Sequence, residues 1–212
     1  MIKVSASILA SDFARLGEEV QRVGDAGCDM VHVDVMDGHF VPNLTMGPMI
    51  VKAIRPYTKT FFDVHLMISD PEKYAPAYIQ AGADGITVHA EACGERLEEI
   101  LRELKHQGVC VGCAISPDTP WTVLEPILPM LDMVLVMTVY PGFGGQKLIP
   151  QTLDKVRVIR SRYPELDIQV DGGVNSETLP EVLEAGANVI VMGTAFFRAE
   201  DPSKLVKQGK GG

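Results

Sequence analysis

Several short hydrophobic runs are interrupted by side chains that a hydrocarbon setting would not select. In VHVDVMDGHFVPN (31–43) His32 and Asp34 alternate with valines, in TFFDVHLM (60–67) His65 stands two residues before Met67, and LDIQVDG (166–172) ends with Asp171 followed by glycine. Successive strand side chains point to opposite faces, so His32, Asp34 and Met36 share one face while Val31, Val33 and Val35 share the other. Imidazole nitrogens and carboxylate oxygens are donors that divalent metals accept, and carboxylates also take and return protons. Converging at one place, His32, Asp34, His65 and Asp171 would form a four-ligand set for Zn²⁺, Fe²⁺, Mn²⁺ or Co²⁺ with room left for substrate. The plainer alternative gives each of them its own separate hydrogen bond in the core.

A second group of residues suits an anion. PGFGGQ (141–146), DGG (171–173) and MGT (192–194) each follow a hydrophobic run. Glycine lets backbone N–H groups approach a phosphate with no Cβ in the way, so no cationic patch is required. Three methionines, Met36, Met67 and Met137, end neighbouring runs. They read either as ordinary core or as a polarizable lining that excludes water without offering protons.

The elements that must position these groups follow from an internal rhythm. AGCDMVHVDV, AGADGITVHA, PMLDMVLVMT and AGANVIVMGT start at Ala26, Ala81, Pro129 and Ala185, about fifty residues apart. Half that interval, about 26 residues, accommodates one strand and one helix. KVSASIL (3–9), TFFDVHLM (60–67), VCVGCAI (109–115) and LDIQVDG (166–172) supply the intervening strands. Helical patterns fill the gaps: one capped at Ser11-Asp12 and running to Asp25, an amphipathic one over 94–107, and others over 150–163 and 176–185. Eight alternating units predict an α/β fold, a single (β/α)₈ barrel over 1–212, in preference to an open doubly wound sheet. Chemistry in such barrels sits at the C-terminal strand ends, where Ser7 joins the residues above. After Pro202 the remaining SKLVKQGKGG offers about two helical turns, a thin closing helix.

Bulk properties narrow the partners. The 212 residues carry a formal net charge of −9 with no basic run, which argues against nucleic acid and anionic membranes. No apolar stretch approaches the roughly 20 residues of a membrane span, and the N-terminus lacks a signal-peptide layout, so a reducing cytoplasm is expected. Cys110 and Cys113 form a CxxC inside a predicted strand, where i and i+3 face opposite ways, so packing is favoured over metal or redox chemistry. The Asn43-Leu44-Thr45 sequon is accidental without secretion. His89 ends a strand without an evident carboxylate partner and is left outside the ligand set; His39 falls in a loop, where a structural role is expected.

Taken together, SASILASDF (5–13), HVDVMDGHFVPN (32–43), FDVHLM (62–67), VMTVYPGFGGQ (136–146), VDGGVN (170–175) and VMGTAFF (191–197) resemble the ribulose-phosphate 3-epimerase family. The resemblance runs from Ser5 to about Asp201. It implies interconversion of D-ribulose 5-phosphate and D-xylulose 5-phosphate on a (β/α)₈ barrel with one bound divalent ion, Zn²⁺ or Fe²⁺ foremost. Residue by residue, it implies metal ligation by His32, Asp34, His65 and Asp171, with Asp34 and Asp171 as the acid/base pair. It sets Ser7 and His65 against the substrate and Met36, Met67 and Met137 around the reacting carbons. The phosphate would lie on backbone around Gly142, Phe143, Gly144 and Gly145, Gly172 and Gly173, and Gly193 and Thr194. A homo-oligomer, dimer or hexamer, is also implied. Tyr140 departs from the Asn or Glu often found there, outside the ligand set, and the tail is shorter than the usual last helix. Three other readings stay open. One is a sister epimerase for a six-carbon ketose phosphate such as D-allulose 6-phosphate. Another is a metal-free phosphosugar isomerase, against which His32 and His65 argue. The last is a barrel that binds a phosphometabolite without turnover.

Overall fold

The computed structural model describes residues 1–211. Val- and Ile-rich runs form eight strands: β1 (Lys3–Ser7), β2 (Met30–Met36), β3 (Phe61–Met67), β4 (Gly85–His89), β5 (Cys110–Ile115), β6 (Met133–Met137), β7 (Asp167–Asp171) and β8 (Val189–Met192). They pair in parallel in chain order, and β8 returns to β1 to close the barrel. Closure leaves no free sheet edge. The register sets the functional residues at matching heights: Ser7 opposite His32, Asp34 opposite His65, Met36 opposite Met67, and Met137 opposite Asp171.

The alternation read in the sequence divides each strand between two environments. Val31, Val33 and Val35 pack outward into the large core beneath the helices, together with Leu16, Val20 and Val23 of α1 (Leu16–Asp25). His32, Asp34 and Met36 face inward and are equally buried. Each fully buried Val or Leu of the outer core stabilises the fold by about 1.5–3 kcal/mol before entropy costs, so the polar residues inside the barrel are held against a cost that this layer offsets.

Several boundaries differ from the periodic reading. β1 stops at Ser7 rather than running to residue 9, because Ile8–Ala10 turns into a 3₁₀ segment closed by Ser11 Oγ donating to the Ile8 carbonyl at 2.7 Å. Asp12 caps as expected, but it receives the Ala14 N–H of a 3₁₀ turn, and α1 proper begins at Leu16. The amphipathic segment 94–107 opens with a 3₁₀ turn (Gly94–Arg96) and continues as α5 (Leu97–His106), with Leu97, Ile100, Leu101 and Leu104 buried as the pattern requires, and a short α4 (Ala90–Cys93) precedes it directly after β4. Between β5 and β6 there is no α-helix, only 3₁₀ turns at Trp121–Leu124 and Leu128–Met130. Pro117, Pro120, Pro126 and Pro129 explain this, since each lacks the N–H a continuing helix would need.

The remaining helices are α2 (Pro48–Ile54), α3 (Pro71–Ala81), α6 (Leu153–Arg162), α7 (Leu179–Glu184), α8 (Thr194–Phe197) and α9 (Pro202–Gly209). Short as it is, α9 docks firmly over the seam. Val206 is buried, Gly209 lies against Val4, and Lys210 Nζ donates to the Gly27 carbonyl and to Asp29, each at 2.9 Å. A Cβ on Gly209 would come within 2.9 Å of Val4, which explains glycine at that contact.

Candidate active site

β2, β3 and β7 bring His32, Asp34, His65 and Asp171 to one point at the C-terminal mouth. His32 Nε2 lies 3.4 Å from Asp34 Oδ1 and 3.7 Å from Asp171 Oδ2. His65 Nδ1 lies 3.5 Å and 3.8 Å from the same two oxygens and 3.4 Å from His32 Nε2. Four donors placed tetrahedrally about 2.0–2.2 Å from one ion stand about 3.3–3.6 Å apart; here one atom from each of the four residues lies within 4.8 Å of the others, a cluster that could close on a single divalent cation. The orientation of His32 agrees. Its Nδ1 faces Asp63 Oδ2 at 2.8 Å, and that oxygen also receives Gln169 Nε2 at 2.6 Å. A carboxylate only accepts, so the Nδ1 proton is committed there and Nε2 is turned to the cluster.

The two carboxyls differ sharply. Burial alone would raise Asp34, but the charge and hydrogen bonding of His32, and then of His65, outweigh it and hold the group well below the usual carboxylate range. Ser7 Oγ also donates to Asp34 Oδ2 at 2.6 Å. Asp171 is pushed up to about 7, first by burial and then by the Asp34 charge. Burial would lower His32, yet Asp34 and Asp63 together raise it well above the ordinary imidazole value. His65 falls to about 4, chiefly through burial and through His89 and His32, against the opposing effect of the nearby Asp34 carboxylate. A divalent ion can take the place of the proton that His32 otherwise presents to these carboxylates.

Above the cluster opens a cavity of about 500 Å³. Ser7, Asp34, Asp171 and the three methionines Met36, Met67 and Met137 line its floor and walls, while His32 and His65 lie fully buried behind them. Gly142, Phe143, Gly144 and Gly145 form one side. Gly172, Gly173, Gly193 and Thr194 line it as well. Two glycines here are dictated by geometry. Gly172 and Gly173 have φ of 121° and 71°, and a Cβ on Gly173 would fall 2.3 Å from the Leu148 backbone nitrogen. The 141–146 loop is shaped by Gln146 Nε2, which donates to the Tyr140 and Phe143 carbonyls at 2.7 and 2.8 Å. Asn43 of the would-be sequon ties it to β2's loop by donating to the Gly142 carbonyl at 2.7 Å.

Five residues escaped the sequence reading. Asp63 and Gln169 precede His65 and Asp171 by two positions, so strand alternation alone placed them inside the barrel. Arg198 lines the cavity one helical turn after Thr194, an i, i+4 relation that was open to inspection. His89 does have a carboxylate partner: its Nδ1 lies 3.0 Å from Glu91 Oε2, and its Nε2 lies 2.9 Å from His65 Nε2. A two-residue offset around a strand end hid that pair. His39, by contrast, stays in its loop, with Nδ1 3.0 Å from the Asp37 carbonyl. Cys110 and Cys113 diverge as alternation requires, Cys113 into the outer core and Cys110 toward the opposite mouth, and all four cysteines are free.

Comparisons with known proteins bear on this geometry. Solved structures of 3-hexulose-6-phosphate synthase from Salmonella typhimurium (TM-score 0.75, 21% identity, 98% of each chain) and of N-(5'-phosphoribosyl)anthranilate isomerase from Pyrococcus furiosus (TM-score 0.66, 18% identity, 99% of this chain and 96% of that one) share the fold. Sequence relatives are far nearer. The ribulose-phosphate 3-epimerase of Bacillus subtilis (strain 168) is 50% identical over 100% of this chain and 99% of its own length. The chloroplastic ribulose-5-phosphate-3-epimerase of Arabidopsis thaliana is 46% identical over 97% of this chain and 75% of its own. Among the described residues no helix is long and apolar enough to cross a membrane. The family model described as the ribulose-phosphate 3 epimerase family matches residues 3–197, and with these relatives it shows that the chain belongs to that family.

Proposed function

We propose that this isomerase interconverts D-ribulose 5-phosphate and D-xylulose 5-phosphate by proton transfer at C3 between Asp34 and Asp171, with a Zn²⁺ or Fe²⁺ ion held by His32, Asp34, His65 and Asp171. Inverting C3 of a 2-ketose removes a proton from one face and returns one to the other, through an enediolate. One carboxyl cannot serve both faces, so two are needed. The observation that carries the reading is the meeting of two such carboxyls, from β2 and β7, at the floor of one cavity. Their proton affinities are already split: Asp34 is held low, while Asp171 is raised to about 7. Without an ion the pair holds at most about one proton near neutrality, titrating as a unit; turnover in either direction needs one of the two to start as base and the other as acid. In the reverse direction the two exchange roles.

When bound, a divalent ion supplies positive charge beside the sugar oxygens, where negative charge develops. Ser7 holds Asp34 through its 2.6 Å hydrogen bond. Met36, Met67 and Met137 exclude water without offering competing protons. The backbone of Gly142–Gly145, Gly172–Gly173 and Gly193–Thr194 receives the phosphate, and the exposed Arg198 adds a side-chain cation at the same end of the cavity. Four free, mostly buried thiols favour action in a reducing compartment such as the cytoplasm.

Conversion of D-ribulose 5-phosphate tests the reading, measured before and after chelation and after restoring Zn²⁺ or Fe²⁺. Activity that disappears and returns supports it. Full activity in a preparation shown to be free of metal refutes the ion's part and leaves the two carboxyls to be tested by substitution.

A further inference from the structure

His89 and Glu91 take no part in the chemistry above, yet they stand in file behind His65. We propose that they form a positioning relay that fixes which nitrogen of His65 carries its proton, keeping Nδ1 free to serve as a metal donor. The relay's value to the site rests on the proposed ligation by His65.

The proton positions follow from what each atom can do. His65 Nε2 and His89 Nε2 are 2.9 Å apart, and both rings are fully buried. The ring planes are 19° apart with centroids separated by 5.0 Å, which is the geometry of two rings joined edge to edge by an in-plane hydrogen bond. One nitrogen must donate and the other accept. On its far side His89 Nδ1 meets Glu91 Oε2 at 3.0 Å, and a carboxylate only accepts. In the singly protonated ring, His89 then carries its proton on Nδ1 and accepts at Nε2. The donor between the rings is then His65 Nε2–H, which leaves His65 Nδ1 with its lone pair turned to Asp34 and His32. The reversed arrangement would set two lone-pair-bearing atoms, His89 Nδ1 and Glu91 Oε2, against each other and point a proton into the ligand cluster.

Glu91 is itself anchored. Its Oε1 receives the Ser116 N–H at 2.7 Å and the Thr119 hydroxyl. Lys155 Nζ in turn gathers the carbonyls of Ser116, Pro117 and Thr119 at 2.9, 2.7 and 2.6 Å. This anchoring makes Glu91→Gln informative. The glutamine must keep its carbonyl oxygen on the two Oε1 donors, so its NH₂ group turns to His89 Nδ1 and reverses the file.

The test uses the full chain labelled with ¹⁵N-histidine, together with Zn²⁺ affinity from competition with a fluorescent chelator. In metal-free wild type, long-range ¹⁵N–¹H correlations should place the His65 proton on Nε2; finding it on Nδ1 overturns the relay without any variant. In Glu91→Gln the proton should move to Nδ1 and Zn²⁺ affinity should fall about 10- to 100-fold. Thr119→Val, which keeps the carboxylate, should retain the wild-type proton position and most of the affinity. A Glu91→Gln protein with wild-type tautomer and affinity overturns the relay while leaving His65 ligation intact. Wild-type Zn²⁺ binding that His65→Ala leaves undiminished overturns the ligation and, with it, the relay's role.

Discussion

The two sides of the cavity floor hold the same functional group in opposite conditions. On the β1–β2 side, Asp34 is 4% exposed, receives the Ser7 hydroxyl and faces two imidazoles. On the β7 side, the Asp171 side chain is 15% exposed and is followed by two glycines with positive φ. One carboxyl is held far down, the other is lifted to about 7. The difference teaches that two identical side chains take up opposite proton affinities through neighbours alone: burial acts on both, and specific positive partners reverse its effect on only one.

The strongest way to break this comparison is to neutralise each side in turn. Asp34→Asn and Asp171→Asn should both fold and should each lower turnover by about 10³-fold or more. In deuterated water each variant should retain C3 exchange for one epimer only, and for opposite epimers. Exchange of both epimers by either variant would falsify the two-base scheme.

The next effect is in pH dependence. Asp171's folded-state value of about 7 exceeds the roughly 3.9 of an unfolded Asp. Its stabilising proton is thus fully present below about pH 4 and lost as pH rises through about 7. His32, also raised, acts in the same direction. In chelator, the urea midpoint should therefore change only modestly between pH 5 and pH 7, because His65, lowered to about 4, gains stability as pH rises to about 6.5 and opposes the Asp171 loss, and should fall beyond pH 7 as His32 gives up its proton. Because the ion must displace these protons, Zn²⁺ affinity should rise about tenfold or more per pH unit over the same interval. An affinity flat in pH would mean that the cluster is already deprotonated.

A smaller change sharpens the asymmetry. Ser7→Ala removes one donor from Asp34 and should reduce kcat about tenfold, the size expected for a hydrogen bond to a charged group. An unaltered kcat would show that the two imidazoles alone hold Asp34. The smallest expected effect lies at the phosphate end. Arg198→Gln should raise KM for the ketose phosphate about 3- to 10-fold with kcat nearly unchanged, a loss of about 1 kcal/mol of charge-assisted binding. Steady-state kinetics separates this from a loss in kcat, which would instead place Arg198 near the reacting carbons.

Much of the fold could be read locally, because each strand announces itself through alternation and each long helix through its apolar stripe. β2 is the clearest case: the face carrying His32, Asp34 and Met36 was evident without any partner in view. The segment 117–130 is less legible, since eightfold alternation implies a helix between strands while four prolines there forbid one. Partnerships were hardest. Asp63 orients His32 only because Gln169, 106 residues away, closes over it from the far side of the barrel. Glu91 reaches His89 only because the chain turns directly after β4 and the β5 loop holds its carboxylate in place.

Residue types and their two- and fifty-residue rhythms were enough to specify eight strands, an inward polar face and a set of candidate donors, because periodicity is a property of the chain itself. Only barrel closure decided which donors meet, which nitrogen of each imidazole is turned to the cluster, and which carboxyl keeps the proton. Those outcomes depend on distances and burial across strands that are remote in sequence, and electrostatic interactions at 3 to 4 Å exist only once such strands are brought together.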